Sequence, residues 1–326
     1  MKLSARQLAC GILCGVLCWV NIAAAEQAAC SDADTEALQW LARMAKSHSE
    51  VAYQGVVTLQ RGDDMQVVQV ARSLAGGYSS EHLTRLTGQG AQVIRAHHPL
   101  DCTHPGERLL TLGNRLDEVS NCGLAGHYQF QVSTGERIAG RQSVKVEIRP
   151  RDMYRYGFLL ELDSETALML RASTLGRGDK ILERFQFADL NYGEPLQPRA
   201  DIDTVHPAAH PHPDYPSSAP QLSLPWAVSW VPGGFTATDK ASPASARRTY
   251  TDGLAVFSVF LEQLPQELKP GEGMARLGSS LSYTRGMRLA EQPVLVTVIG
   301  EVPVNTARMV ADSIRVLHQS ATLHVD

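Results

Sequence analysis

The side chains that could bind a metal ion lie closest together before the middle of the chain. They are His97, His98, Asp101, Cys102 and His104, followed by Cys122 and His127. A structural zinc site takes thiolates and neutral imidazoles in tetrahedral geometry, usually from closely spaced pairs. The spacing here fits no such template, and Pro99 and Pro105 interrupt the run. We therefore favour a surface loop over a metal site.

Cys102 and Cys122 support a different interpretation of this segment. They stand at the two ends of a stretch rich in turn residues, and cysteines pair readily in an oxidising compartment. We predict a possible disulfide between them, with two free thiols as the alternative, and oxidised sulfurs would not ligate a metal. A second histidine group, His206, His210 and His212, lies in a proline-rich stretch and reflects its composition.

The sequence lacks the short motifs that commonly mark catalytic sites. It has no Gly-x-Ser-x-Gly elbow, no His-Glu-x-x-His pair and no paired carboxylates on a shared element. Two glycine pairs, at residues 88–90 and 176–178, lack the further glycine or lysine of a phosphate loop, and we predict hairpin turns there. We predict no catalytic residue, no cofactor and no enzymatic activity.

Residues 1–25 have the order of a secretory signal peptide. Lys2 and Arg6 precede an apolar run from Leu8 to Val20, and three alanines then end at Ala25. The apolar run is shorter than the ~20 residues that span a membrane. We predict cleavage after Ala25. Loss of two positive charges from a chain of formal net charge −4 leaves an acidic mature protein, so nucleic acid is not expected as a partner.

Residues 26–195 carry the pattern of a large antiparallel sheet preceded by one helix. Residues 32–51 place acids in the first turn and apolar residues at helical spacing, which predicts an amphipathic helix. Alternating strands follow, among them YGFLLELD, whose apolar side chains share one face while its acids take the other.

The apolar face of this sheet allows two interpretations. One is a closed core packed under the helix, and the other is a lined groove that takes acyl chains. The candidates for the groove are Val57, Leu59, Phe130, Phe158, Leu160, Leu162, Leu170, Phe185 and Phe187.

The composition changes at residues 196–220, where prolines and histidines without apolar period predict a linker. Residues 221–318 then show several strands and a final helix from Asn305 to about His318, which predicts a small α+β domain. Residues 319–326 form a C-terminal tail.

The stretch TYTDGLAVFSVFLE in the small domain is apolar on both faces. Leu254, Val256 and Phe260 are predicted on one face, and Phe257, Val259 and Leu261 on the other. The final helix can cover one face, and the large domain or a partner would cover the other, unless the strand is buried entirely within its own domain. The partner-binding candidates are Trp226, Trp230, Phe235, Tyr250, Phe257, Val259 and Leu261.

Long segments in a fixed order resemble the RseB/MucB family of periplasmic regulators. The likeness is strongest in GRQSVKVEIRPRDMYRYGFLLELD and YTDGLAVFSVFLE, and LPWAVSWVPGGFTAT and VTVIGEVPVNTARMVADSIRVL agree with it. It covers nearly all of the mature chain. Residues from about 75 to 126 match poorly, and Thr166-Ala167-Leu168 stands where the family usually has Thr-Gly-Leu.

This resemblance implies a fold, a partner and a signal. The fold is a half-open, lipoprotein-carrier-like β-barrel with helices, joined to a small α+β domain. The partner is the periplasmic segment of a single-span anti-sigma factor, which the protein shields from proteolysis until lipopolysaccharide or lipoprotein acyl chains release it. The alternative is a periplasmic carrier or chaperone for lipoproteins or lipids. The sequence leaves the oligomeric state, including a homodimer, open.

Overall fold

The computed structural model describes seven stretches of the chain. They are residues 35–74, 80–87, 92–96, 123–193, 225–238, 246–265 and 271–317. Several predicted features lie outside these ranges. They are the signal peptide, the linker, the tail, Cys102 and Cys122, and every histidine of the two groups except His127. Those expectations stay predictions.

In its described residues, the large domain has one α-helix, a nine-stranded antiparallel sheet and two short 3-10 helices, at Gly123–Gly126 and Arg177–Asp179. Its elements are α1 (Thr35–Glu50), β1 (Tyr53–Arg61), β2 (Asp64–Ser73), β3 (Ser80–Arg85), β4 (Gln92–Ala96), β5 (Tyr128–Ile138), β6 (Arg141–Pro150), β7 (Gly157–Asp163), β8 (Met169–Leu175) and β9 (Ile181–Tyr192). The strand order is β4-β3-β2-β1-β9-β8-β7-β6-β5. The two end strands of this order do not pair with each other, which confirms the predicted half-open sheet.

Helix α1 covers the apolar face of the sheet because its own apolar residues recur every three or four positions. Ala37, Leu41 and Met44 are fully buried and share one cluster with the strands. Glu36 lies in the first turn, where it complements the partial positive charge of the helix N-terminus. The predicted amphipathic helix is therefore present.

The small domain contains a six-stranded antiparallel sheet, a two-stranded sheet and one helix. Its elements are β10 (Trp226–Val228), β11 (Thr236–Ala237), β12 (Arg247–Thr251), β13 (Val256–Gln263), β14 (Glu272–Leu277), β15 (Ser280–Leu289), β16 (Gln292–Gly300), α2 (Val304–Asp312) and β17 (Ile314–Val316). The large sheet runs β11-β12-β13-β16-β15-β14, and β10 pairs with β17. Among the described residues, no helix of the protein is long and apolar enough to cross a membrane.

The predicted final helix is wrong in its second half. The helix ends at Asp312, and Ile314–Val316 forms a strand in which Val316 lies opposite Trp226. The side-chain oxygen of Ser313 donates to the main-chain oxygen of Val310 at the helix end. β-Branched residues then favour the extended backbone, and pairing with β10 supplies the hydrogen bonds that further helix would have made.

Candidate functional site at the domain joint

The side chains predicted to line a lipid groove lie together on the helix-covered face of the large sheet. The buried members are Val57, Phe130, Phe158, Leu160, Leu162, Leu170, Phe185 and Phe187, and Leu59 is partly buried against them. The same cluster contains Leu41 and Met44 of α1, so the chain covers this face with its own helix. Lipid binding by these residues stays a prediction.

The side chains predicted to bind a partner belong mostly to the core of the small domain. Trp226, Phe235, Tyr250, Phe257, Val259 and Leu261 are buried there. They share this cluster with Ala307 and Val310 of α2, so this face of β13 is covered within its own domain. In this conformation these six side chains are out of a partner's reach, and their contact with a partner stays a prediction.

A buried ion pair links the two domains. Nε of Arg155, between β6 and β7, donates to Oδ2 of Asp252, between β12 and β13, over 2.6 Å, and both side chains are fully buried. Arg155 also donates to Asp152 and to the main-chain oxygen of Gly233, and its guanidinium carbon lies 4.9 Å from the centre of the Phe235 ring. We name the surrounding contact the domain joint, comprising residues 127–128 and 151–156 of the large domain and residues 230–235 and 252–254 of the small domain.

The Asp252 carboxylate is saturated with donors. Its Oδ2 also accepts from the hydroxyl of Tyr128 over 3.0 Å, and its Oδ1 accepts from the main-chain N–H groups of Leu254 and Ala255. Burial, and then the neighbouring Asp252, raise the pKa of Tyr128 well above its usual value, so the phenol keeps its proton and donates. A buried ion pair is tolerated when hydrogen bonds satisfy its remaining atoms, as they do here.

The turn that carries Asp252 also inserts an apolar side chain into the large domain. Leu254 is 1% exposed and belongs to the cluster beneath α1, not to the core of its own domain. Gly253 has a φ of 102°, and a Cβ atom there would stand 3.6 Å from Leu124 of the large domain. The large domain thus covers part of the second face of TYTDGLAVFSVFLE, while Val256 and Phe260 stay half-buried.

Further contacts extend the joint on both sides of Arg155. The hydroxyl of Tyr156 donates to the main-chain oxygen of Val302 over 2.9 Å, and Oγ1 of Thr306 donates to that of Tyr154 over 3.0 Å. Trp230, the seventh partner-binding candidate, is half-buried, and its ring meets that of Tyr154 edge-on with the centres 5.3 Å apart. The two domains are therefore joined by polar and aromatic contacts around one ion pair.

The sequence analysis did not predict the contact between Arg155 and Asp252. Arg155 lies in RDMYRYG, a run between two strongly alternating strands that itself shows no alternation and mixes charged with aromatic residues. Such a break in a strand pattern indicates a segment that serves contacts outside the sheet. It could have identified the large-domain side of the joint, but nothing in the sequence indicates which residues of the small domain meet it.

His127 places a titratable ring at the edge of the joint. Its ring packs against the turn at Gly234, where a Cβ atom would collide with Nε2 of the imidazole. Burial and then the positive charge of Arg155 lower the pKa of His127, while Asp252 and Asp152 raise it less. The docked domains therefore favour the neutral imidazole.

Acidification is expected to weaken the docked state through His127. Because the pKa of His127 is lower when the domains are docked and folded, the released or unfolded chain binds more protons, and stability falls as pH falls below about 6.5. The contribution is fully present above that pH. Urea midpoints measured between about pH 5 and pH 8 should fall more steeply with acid in the wild type than in the uncharged variant His127→Gln. Identical pH profiles would contradict this role.

The described residues offer no assembled reaction centre. The closest pairing of a hydroxyl with a carboxylate is Ser143 with Glu161, but Glu161 is buried and also paired with Arg171 over 2.8 Å, so it is engaged as a structural acceptor. No group of three or more possible metal ligands comes together in the described part of the chain. The buried polar contacts around Arg155 and Asp252 instead hold the two domains together.

Two models from one protein family match consecutive parts of the chain. The model of the MucB/RseB N-terminal domain matches residues 36–206, and that of the MucB/RseB C-terminal domain matches residues 220–315. The regulatory protein MucB of sigma factor AlgU, from Pseudomonas aeruginosa, is 32% identical over 86% of this chain and 91% of its own length. The sigma-E factor regulatory protein RseB of Escherichia coli K12 is 25% identical over 72% of this chain and 76% of its own.

Solved structures of MucB resemble most of this chain. A crystal structure of MucB in complex with MucA(peri) has a TM-score of 0.65 at 32% identity, covering 86% of this chain and 99% of that one. A Pseudomonas aeruginosa MucA/MucB complex gives the same TM-score. A third structure, of MucB with no partner named, gives 0.52 at 30% identity, covering 87% and 99%. From the family models, the relatives and these structures together, we conclude that the chain belongs to the MucB/RseB family.

Proposed function

We propose that this protein is a periplasmic negative regulator of an envelope-stress sigma factor. It binds the periplasmic segment of a single-span anti-sigma factor and shields that segment from proteolysis, without catalysing a reaction itself. The observation that carries the proposal is the likeness, over both domains, to MucB in complex with MucA(peri). The names of the curated relatives as sigma-factor regulators support it.

The domain joint supports a partner site that depends on both domains. The described chain is more similar to the two MucA complexes, with TM-scores of 0.65, than to the third MucB structure, at 0.52, although all three are covered almost completely. A segment that contacts both domains binds best when they are already docked, because it then does not have to order them. The Arg155 and Asp252 pair supplies that order.

Release by lipopolysaccharide or lipoprotein acyl chains completes the proposed function. In the described residues, the large domain holds a continuous apolar cluster that helix α1 covers. An acyl chain that enters this cluster must displace side chains that now fill it, so its binding favours another arrangement of the domains. The difference between its affinities for the two arrangements sets how far it lowers affinity for the partner.

Three features outside the described residues belong to the same proposal. They are removal of residues 1–25 on export, a linker at residues 196–220 between the domains, and a possible disulfide between Cys102 and Cys122. Intact mass of the exported protein, measured with and without reductant and alkylation, tests the first and the last of these directly. A mass that includes residues 1–25 would contradict export by a cleaved signal.

Direct binding tests the function. Mature protein, residues 26–326, is titrated by calorimetry with the periplasmic segment of the anti-sigma factor from the same genome, and with a scrambled segment of equal composition as control. We expect micromolar or tighter binding of the true segment only. We also expect slower cleavage of that segment by the protease that initiates its degradation.

Two outcomes would redirect the proposal. If capture from solubilised envelope recovers many lipoproteins and no anti-sigma factor, the protein is a carrier or chaperone. If lipid A and an acylated peptide, each at saturation, leave the affinity for the segment unchanged, the regulator binds its partner but is not released by lipid.

A further inference from the structure

One residue of the small domain completes the apolar cluster of the large domain. In the described chain, the buried members of that cluster come from α1, the nine-stranded sheet and its β7–β8 turn, the short helix at Gly123–Gly126, and Leu254. Leu254 is 1% exposed, yet it is absent from the cluster that forms the core of its own domain. The large domain thus has an apolar position that an aliphatic side chain from elsewhere fills.

Hydrogen bonds within the turn fix the position of Leu254 relative to Asp252. Oδ1 of Asp252 accepts from the N–H groups of Leu254 and Ala255, and the hydroxyl of Thr251 donates to the main-chain oxygen of Ala255 over 2.8 Å. Oδ2 of the same Asp252 holds Arg155. Withdrawal of Leu254 from the cluster therefore cannot occur without strain on, or loss of, the ion pair that docks the domains.

We infer that Leu254 is a built-in occupant of an acyl-chain site, so that filling this site with a ligand undocks the small domain. The ligand class follows from the occupant, since a saturated aliphatic side chain fills the position, and from the apolar cluster that continues beyond it under α1. This inference rests on the proposed function for its biological purpose. It adds the place where the ligand acts and the contact that it breaks.

The physical basis is competition between two apolar groups for one position. A fatty acyl chain that takes the position of Leu254 regains the burial that the leucine loses, and the displaced turn pulls Asp252 from Arg155. In the docked protein the ligand must displace Leu254, which reduces its apparent affinity. A smaller side chain at residue 254 removes that competitor.

The test uses mature full-length protein with laurate, below its micelle concentration, as the probe. Calorimetry measures laurate affinity, and small-angle X-ray scattering measures the radius of gyration with and without laurate. We expect laurate to expand the wild type, and Leu254→Ala to bind laurate about tenfold more tightly. Val256→Ala, two positions after Leu254 at the first residue of β13 and outside both clusters, should behave like the wild type.

Leu254→Met controls for folding because it keeps the apolar volume, and it should retain wild-type affinity for laurate. The inference would be overturned if the wild type and Leu254→Ala bind laurate with equal affinity, even if laurate raises the radius of gyration. It would also be overturned if neither protein binds laurate. Binding of the anti-sigma segment without laurate is measured separately. If that binding is present while the laurate results fail, only the acyl-chain site is wrong, and if it is absent, the proposed function fails whatever laurate does.

Discussion

Replacement of Arg155 by alanine is expected to separate the two domains while each remains folded. The variant leaves the carboxylate of Asp252 buried without its cation, and removal of one member of a buried pair costs about 3–5 kcal/mol. It also removes the donor to the main-chain oxygen of Gly233. Arg155 belongs to neither apolar cluster, so both sheets keep their packing.

Calorimetric unfolding and small-angle scattering measure this effect. The wild type should unfold with coupled domains, whereas Arg155→Ala should show a less stable, separated transition for the small domain and a larger radius of gyration. Arg149→Ala is the matched control, because Arg149 is half-exposed and pairs at the surface with Glu147 and Asp179. That change should cost no more than about 1 kcal/mol.

A second substitution shows whether the cost arises from the ion pair. Asp252→Asn removes the charge while its side-chain oxygen can still accept from the main-chain N–H groups, so the double variant should lose less stability than the two single changes predict together. If the stability losses of the two single variants add up in the double variant, the loss in Arg155→Ala comes from packing against Phe235 instead. If the two domains of Arg155→Ala still unfold together, the ion pair does not hold the domain joint.

The sheets could be predicted because their physical cause is local. In β7, Leu160 and Leu162 alternate with Glu161 and Asp163, and that period of two indicates a strand and its apolar face. It does not indicate that the two acids are buried as well, where they pair with Arg171 and Arg141. The order of many such strands, with the family resemblance, predicted the fold. β14 was not predicted, because all of its residues are exposed and a strand without a buried face does not need alternating apolar and polar residues.

The joint could not be predicted because it depends on two segments about 100 residues apart in sequence. Asp252 and Gly253 lie in the turn between β12 and β13, but an Asp-Gly turn has the same sequence signature whether or not its carboxylate also meets an arginine. Burial of the pair is a property of docked domains. Neither the sequence of the turn nor that of RDMYRYG contains the docking geometry.

Ala167 shows what a departure from the family pattern means physically. It has a φ of 60° and is fully buried in the turn between β7 and β8. The left-handed region costs a non-glycine residue roughly 1 kcal/mol, which a glycine there would avoid. Oδ1 of Asp163 holds the turn by accepting from the N–H groups of Glu165 and Thr166, so the strained alanine is retained.

Replacement of Val259 by aspartate is expected to unfold the small domain. Val259 is fully buried between Arg248 of β12 and Val298 of β16 in the sheet, and its side chain belongs to the apolar core. An unpaired carboxylate buried there costs several kcal/mol, a large part of the roughly 5–15 kcal/mol that stabilises a domain. The turn that carries Asp252 and Leu254 leads directly into β13. Docking of the small domain onto the large domain should therefore fail as well.

Hydrogen exchange distinguishes this outcome from loss of a binding surface. In Val259→Asp the amides of β12, β13, β15 and β16 should lose protection, while those of the large sheet keep theirs. Ile299→Asp is the matched control: Ile299 adjoins Val298 on β16 but lies on the opposite face and is 45% exposed. It introduces the same charge and should leave protection intact. If Val259→Asp instead keeps the protection of β13 and loses only the partner, then this face of the strand opens to the partner, and the buried core described for it is not the state that binds.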